Sequence, residues 1–115
     1  MKTPSADPLF DGKQAIVREI YEKLLAAVGV FGKVKIEPHK TSIHLVNCTA
    51  FAGVAVRKDH LVLTIKSDLP MESDRIFKSE RVSRNRYHHE IRLASPLDVN
   101  KELVAWLKAG WKLSA

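Results

Sequence analysis

The segment from Arg84 to Leu93, RNRYHHEIRL, holds the densest group of side chains that could do chemistry: three arginines, two adjacent histidines and one glutamate. Guanidinium groups bind phosphates and carboxylates through paired hydrogen bonds, and histidine titrates near neutral pH. The segment could therefore bind an anion, ligate a metal or supply an acid or a base. These alternatives require different orientations of the side chains.

The apolar residues of this segment predict a β-strand from Tyr87 to Leu93. Because successive side chains of a strand point to opposite faces, His89 lies on the apolar face and His88 on the polar face, together with Arg92. The adjacent histidines therefore cannot easily ligate one ion together. His89 is interpreted most simply as a semi-buried histidine, hydrogen-bonded under a helix. The alternative is a pocket histidine that acts as an acid, a base or an anion donor.

Signatures of metal, cofactor and nucleophile sites are missing from the rest of the sequence. There is no Cys-x-x-Cys or His-Glu-x-x-His pair, and Gly32-Lys33 lacks the flanking residues of a phosphate-binding loop. Cys48 lies in an Asn-Cys-Thr turn, but nothing in the sequence places a base beside it. We expect no metal and no cofactor, and His89 is the only catalytic candidate.

Basic residues concentrate between Arg75 and Arg92, and the chain has a net charge of +6. An excess of positive charge favours acidic partners such as nucleic acid or an anionic ligand. The alternative is protective charge, since edge strands carry charged side chains that block aggregation between sheets. The basic cluster consists of Arg75, Lys78, Arg81, Arg84, Arg86 and Arg92.

Hydrophobic periodicity predicts the elements that position these residues. Apolar residues recur at helical spacing from Ile16 to Val28, with Asp11 as N-cap and Gln14 completing a capping box. A period of two then predicts five or six strands, with Arg75 to Val82 as a short polar edge strand. Ser95 and the following Pro-Leu-Asp predict the start of a second helix.

The expected fold is an α+β two-layer sandwich. Short connections favour an antiparallel meander sheet of five to six strands, with the N- and C-terminal helices packed on one face. Residues 1–10 are expected to form a flexible arm and residues 11–115 a single domain. The other face of the sheet is left to solvent or to a partner, which includes a second copy in a homodimer.

Composition predicts a soluble, cytoplasmic protein without a membrane partner. The longest apolar run is far shorter than the about 18 residues of a membrane span, and prolines and aspartates interrupt the N-terminal segment. The single cysteine can form no internal disulfide, which fits a reducing compartment.

Five motifs follow one another along the chain: KTSIHL from Lys40, FAGVAV from Phe51, LVLTIK from Leu61, YHHEIRL from Tyr87 and LDVNKELVAWLKAGW from Leu97. In this order and spacing they resemble a small uncharacterised bacterial and archaeal domain family, a domain of unknown function sometimes labelled a predicted transport protein, here as a stand-alone copy. The resemblance covers Ala15 to Lys112 and implies no particular activity.

Two functions fit these observations. The first is a non-enzymatic binding module for an anionic ligand, nucleic acid or protein partner, in which arginine and lysine supply charge-assisted hydrogen bonds. The alternative is a small enzyme that acts on an anionic substrate with His89 as acid or base. A packed His89 favours the module, and a His89 exposed in a concave pocket favours the enzyme. The predicted ligand-binding residues are Lys40, Arg84, Arg86, His89 and Arg92.

Overall fold

The computed structural model describes residues 7–115. A 3₁₀ helix (Asp7–Phe10) precedes helix α1 (Ala15–Gly29), and a second 3₁₀ helix (Pro96–Asp98) precedes helix α2 (Lys101–Leu113). The predicted α+β fold, with a helix at each end of a run of strands, is confirmed. The strands are β1 (Lys35–Pro38), β2 (Ser42–Val46), β3 (Ala50–Val56), β4 (Leu61–Ser67), β5 (Ile76–Ser83) and β6 (Arg86–Leu93).

The strands form one antiparallel sheet in the order β1-β2-β3-β4-β6-β5. The predicted meander holds through β4, after which the last two strands exchange places. β6 pairs with β4, and β5 lies at the edge, where a polar strand was predicted. The loop between β4 and β5 (residues 68–75), which we call the crossover loop, must therefore pass β6 to reach the edge of the sheet.

Both helices pack on one face of the sheet, where α2 contacts β3 and β4, and α1 contacts α2 and β4. Alternation along the strands sends the large apolar side chains to this helix-covered face, and the hydrophobic effect of their burial is the main stabilising term. The opposite face carries smaller and more polar residues that stay half-buried. The fully buried side chains include Ile20, Leu24, Ile43, Leu45, Leu63, Ile65, Ile91, Leu103 and Leu107.

A β-bulge between β2 and β3 changes what the open face presents. Leu45 pairs with Ala52 and Val46 pairs with Ala50, so Phe51 has no partner on β2. Strict alternation would place Phe51 on the same face as Gly53, but Phe51 is fully buried in the core. A bulge of this kind puts two successive side chains on one side of a strand. The open face thereby loses its one large aromatic side chain on β3.

The predicted helix starts differ from the observed ones. The predicted N-cap at Asp11 is wrong, because α1 begins at Ala15 and its N-cap residue, Gln14, makes no side-chain capping bond. At the other end, the predicted capping box of Ser95 and Asp98 is present, but it caps the 3₁₀ helix. Helix α2 begins later, where the Asn100 side chain accepts a hydrogen bond from the backbone N–H of Leu103 at 3.0 Å.

The end of the predicted arm contacts the domain. Residues 1–6 lie outside the described part of the chain. In the 3₁₀ helix that follows, Leu9 and Phe10 pack against the core, and the Phe10 ring lies 5.1 Å from that of Tyr21 between centroids. Arg18 bonds Asp7 at 2.7 Å and stacks over Phe10. This turn therefore contacts the core of the domain.

Candidate functional site

A depression of about 260 Å³ lies on the face of the sheet that the helices leave open. Strands β2, β3, β4 and β6 line it, and their alternation sends small and polar side chains toward it. We call it the open-face site. The residues on the face of the sheet that points into it are Ser42, His44, Gly53, Ala55, Thr64, Lys66 and His88.

The small residues of β3 create this depression. Gly53 pairs with His44 on one side and with Thr64 on the other, and Ala55 follows on the same face. A Cβ added to Gly53 would lie 3.7 Å from His44 Cδ2 and 3.9 Å from Thr64 Cβ. These are ordinary van der Waals distances, so the floor has room for at least one methyl group.

Positive charge concentrates at one end of the site. Lys66 pairs in register with His88, and its Nζ donates to Thr49 Oγ1 at 3.1 Å. Burial lowers the pKa of the Lys66 ammonium from its ordinary value, and the nearby Arg86 guanidinium lowers this pKa further. Arg86 shares the face with His88, diagonally opposite Lys66, at a spacing of about 7–8 Å that long side chains can bridge.

Most carboxylates around the site form ion pairs with other lysines. Glu90 lies 3.6 Å from Lys78, and Glu37 lies 3.6 Å from Lys35. Glu80 stands opposite His88 on the edge strand. Two carboxylates therefore flank the Lys66–Arg86 pair, Glu90 on β6 and Glu80 on β5, while its other side opens onto the floor of the site.

His89 is 0 % exposed and lies on the helix-covered face. Its Nε2 is 3.1 Å from the Leu69 carbonyl oxygen, and its Nδ1 is 2.8 Å from Ser79 Oγ. A carbonyl oxygen only accepts, so Nε2 carries a proton, and in the neutral ring Nδ1 accepts from the Ser79 hydroxyl. His89 thus joins the crossover loop, the edge strand and β6. It is packed, and it does not line the open-face site.

The residues predicted to bind a ligand together lie apart. Lys40 is exposed in the turn between β1 and β2, and Arg84 is exposed in the turn between β5 and β6. Arg92 is exposed near Asp59, about 20 Å along β6 from Arg86 at the rise of a strand. None of the predicted residues is among those that line the open-face site, but Arg86 stands diagonally opposite Lys66, which does line it.

The remaining members of the basic cluster have structural partners. Arg75 bonds Asn100 at 2.9 Å and Glu102 at 3.4 Å, and it lies over the Trp106 ring, so it connects the crossover loop to α2. Arg81 donates to the carbonyl oxygens of Ser83 and Arg84, which braces the last hairpin. The cluster is therefore continuous in sequence and divided in space.

Sequence reasoning missed Lys66 as a site residue. The signal was present in LVLTIK, where Lys66 and Thr64 alternate with buried residues and so share a solvent-facing side. What the sequence did not show is the pairing of β4 with β6, which places Lys66 against His88. Without that pairing, Lys66 looked like an ordinary polar residue at the end of a strand.

A second, more open depression of about 490 Å³ lies between the crossover loop and β5. It is lined by Met71, Glu72, Ser73, Asp74, Ile76 and Ser79, and its two carboxylates disfavour an anionic ligand. Within residues 7–115, no group of three or more His, Cys, Asp and Glu side chains could hold a metal ion.

The sequence places the chain in a family. The model of a family described as a domain of unknown function, DUF5655, matches residues 6–114. The chain belongs to this family. The resemblance to a small uncharacterised domain family is thereby confirmed, and its description carries no activity. Neither a curated protein nor a solved structure matches the chain.

Over the described part of the chain, neither helix combines the length and the hydropathy that a membrane-spanning segment needs.

Proposed function

We propose that the protein is a non-enzymatic binding module whose open-face site binds an anionic group. The supporting observation is the pair formed by Lys66 and Arg86. Burial and the neighbouring guanidinium both lower the pKa of Lys66, which means that its charged form is held at a cost in free energy. A bound anion would offset that cost, because its attraction to both cations counteracts their mutual repulsion.

The side chains at this end offer suitable donors. Lys66 supplies an ammonium group, Arg86 a planar guanidinium, and His88 an imidazole in register with Lys66. Charge-assisted hydrogen bonds from such groups are roughly twice as strong as those between neutral groups. Phosphate and carboxylate groups are therefore the ligands that this end of the site favours.

The packing of His89 supports a module over an enzyme that uses His89 as acid or base. Both ring nitrogens are engaged, one by a backbone carbonyl and the other by Ser79. A general acid or base must come within hydrogen-bond reach of the substrate, and a side chain that is 0 % exposed has no such reach.

A small anionic ligand is favoured over nucleic acid. Proteins that bind single strands combine a continuous basic groove with aromatic stacking surfaces. Here Lys40, Arg84 and Arg92 lie in different turns or at different ends of the sheet, so they form no continuous track for a phosphate backbone. A cytoplasmic location is part of the proposal, and the single, exposed Cys48 supports it.

Calorimetric titration with inorganic phosphate, at low and at high salt, tests the proposal. We expect saturable binding that weakens with salt, and a loss of about tenfold or more in affinity for Lys66→Met and for Arg86→Met, since each removes a charge-assisted bond. Lys40→Met is the matched control because it removes the same charge from an exposed turn away from the site.

Two results would contradict the proposal. One is the absence of saturable phosphate binding to the unaltered protein. The other is an equal loss of affinity in Lys40→Met and Lys66→Met, which would show that phosphate responds only to net charge.

A further inference from the structure

We infer that the open-face site takes a small aromatic anion, whose flat ring lies against β3 while its anionic group reaches Lys66 and Arg86. This inference rests on the proposed function and adds the part of the ligand that the cations do not contact. It is carried by the shape of the depression, by the residues on either side of Gly53, and by the position of the cations relative to them.

The floor of the site is backbone of β3 that no large side chain covers. Gly53 has no side chain, Ala55 has only a methyl group, and the bulge has moved Phe51 into the core. A glycine inside a strand weakens it and often marks either a bulge, such as the one at Phe51, or a place where a ligand approaches the backbone closely. The middle of a six-stranded sheet is otherwise an unfavourable place for this residue. A flat group can therefore lie directly on β3.

The walls of the site fit one ring. His44 and Thr64 flank Gly53 in register, and their strands lie about 9–10 Å apart across β3. The His44 imidazole lies 4.2 Å from the His39 ring between centroids. The edge or the face of His44 can contact the aromatic ring of a ligand. At about 260 Å³, the depression lies just below the ~300–1,000 Å³ of pockets for drug-sized ligands, so the ligand is small.

The cations lie at the right separation for a substituent on that ring. Thr64 and Lys66 point to the same face two residues apart on β4, which places them about 6–7 Å apart along the strand. That distance is comparable to the distance from the centre of an aromatic ring to the far side of a phosphate or carboxylate group attached to it. A ring over Gly53 would thus direct its anionic substituent toward Lys66, Arg86 and His88.

Comparing two probes on the unaltered protein and on Gly53→Ala tests the inference. The probes are inorganic phosphate, which has only the anionic group, and phenyl phosphate, which adds one ring. We expect the unaltered protein to bind phenyl phosphate about tenfold more tightly than inorganic phosphate, because the ring buries apolar surface. In Gly53→Ala the added methyl group occupies the floor at ordinary contact distances. It should remove most of the preference for phenyl phosphate over inorganic phosphate.

Gly29→Ala is the matched control, since the same methyl group added at the end of α1 would meet nothing within 4 Å. Its affinity for both probes should equal that of the unaltered protein. Equal affinity for the two probes, both lost in Lys66→Met, would overturn the aromatic ligand and leave the proposed function standing. An equal loss of both probes in Gly53→Ala would also overturn the inference. If the unaltered protein binds neither probe, the proposed function and the inference both fail.

Discussion

His88 and His89 are adjacent in the chain and lie on opposite faces of the sheet. His89 is 0 % exposed, and both of its ring nitrogens have partners within the protein. His88 is half-buried, lines the open-face site and pairs in register with Lys66. The same side chain therefore takes part in folding at one position and is available to a ligand at the next. The face of the sheet that a residue occupies decides its role more than the chemistry of its side chain does.

The two faces differ throughout the sheet. On β4, Leu63 and Ile65 face the helices and are fully buried, whereas Thr64 and Lys66 face the open side and are half-buried. Substitutions on the helix-covered face should therefore change the free energy of unfolding, while substitutions on the open face should change binding. Paired variants separate these two effects.

The largest difference is expected between His89→Ala and His88→Ala. His89→Ala removes two buried hydrogen bonds and leaves a cavity, which should lower the free energy of unfolding by about 2–4 kcal/mol. His88→Ala should change it by less than about 0.5 kcal/mol, as is usual for solvent-facing positions. Urea denaturation followed by circular dichroism measures both. Equal destabilisation by the two variants would show that His89 does not hold the crossover loop.

A smaller difference is expected between two glycines. A Cβ on Gly110 of α2 would lie 2.8 Å from the Lys66 carbonyl oxygen and 3.4 Å from that of Phe51, so α2 must move away from the sheet. Gly110→Ala should cost about 1–3 kcal/mol, even though alanine favours the helix. Gly53→Ala meets no such contact and should be neutral or slightly stabilising. Thermal unfolding of the two variants, compared at one pH, should show lower stability for Gly110→Ala alone. The same stability for both would contradict the close packing of α2 on β4.

The smallest expected effect concerns pH. Because the Lys66 pKa is lowered from 10.5, affinity for sulfate, whose charge is constant in this range, should begin to fall at a lower pH than an ordinary lysine would allow. Lys66→Arg keeps the charge to higher pH, so its sulfate affinity should hold over the same interval. Titration calorimetry between pH 8 and pH 10 compares them.

Stability should change in the opposite direction. A folded-state pKa below the unfolded value means that the unfolded chain binds more protons between the two values. The contribution of Lys66 to stability therefore rises as the pH increases through its lowered pKa and toward 10.5.

In the sulfate titration, identical pH profiles for Lys66→Arg and the unaltered protein would show that the pKa of Lys66 is not lowered.

The sequence predicted the elements well because their signals are local. The period of two in LVLTIK and YHHEIRL, the polar edge strand, and the capping box of Ser95 and Asp98 each depend on neighbouring residues. The exchange of β5 and β6 depends on pairing between distant segments, which no local period encodes. The bulge at Phe51 likewise depends on the register between β2 and β3.

The candidate site was predictable only in part, for the same reason. Alternation placed His88 on the polar face and His89 on the apolar face, and the structure agrees with both. Proximity in sequence, however, grouped Arg84 with Arg86 and Arg92, which the turn and the length of β6 separate. The neighbour of Arg86 on this face is Lys66 from β4, a strand that pairs directly with β6 although β5 separates the two in the sequence.

The central claim is that the open face, and not the helix-covered face, binds anions. Titration of ¹⁵N-labelled protein with inorganic phosphate, followed by NMR of the backbone amides and histidine rings, tests it most directly. We predict saturable shifts at Lys66, Arg86 and His88, with the ring signals of His89 and the amides of α1 unchanged. Saturable shifts centred on the helices or on the Arg84 turn, or a uniform drift without saturation, would contradict the account.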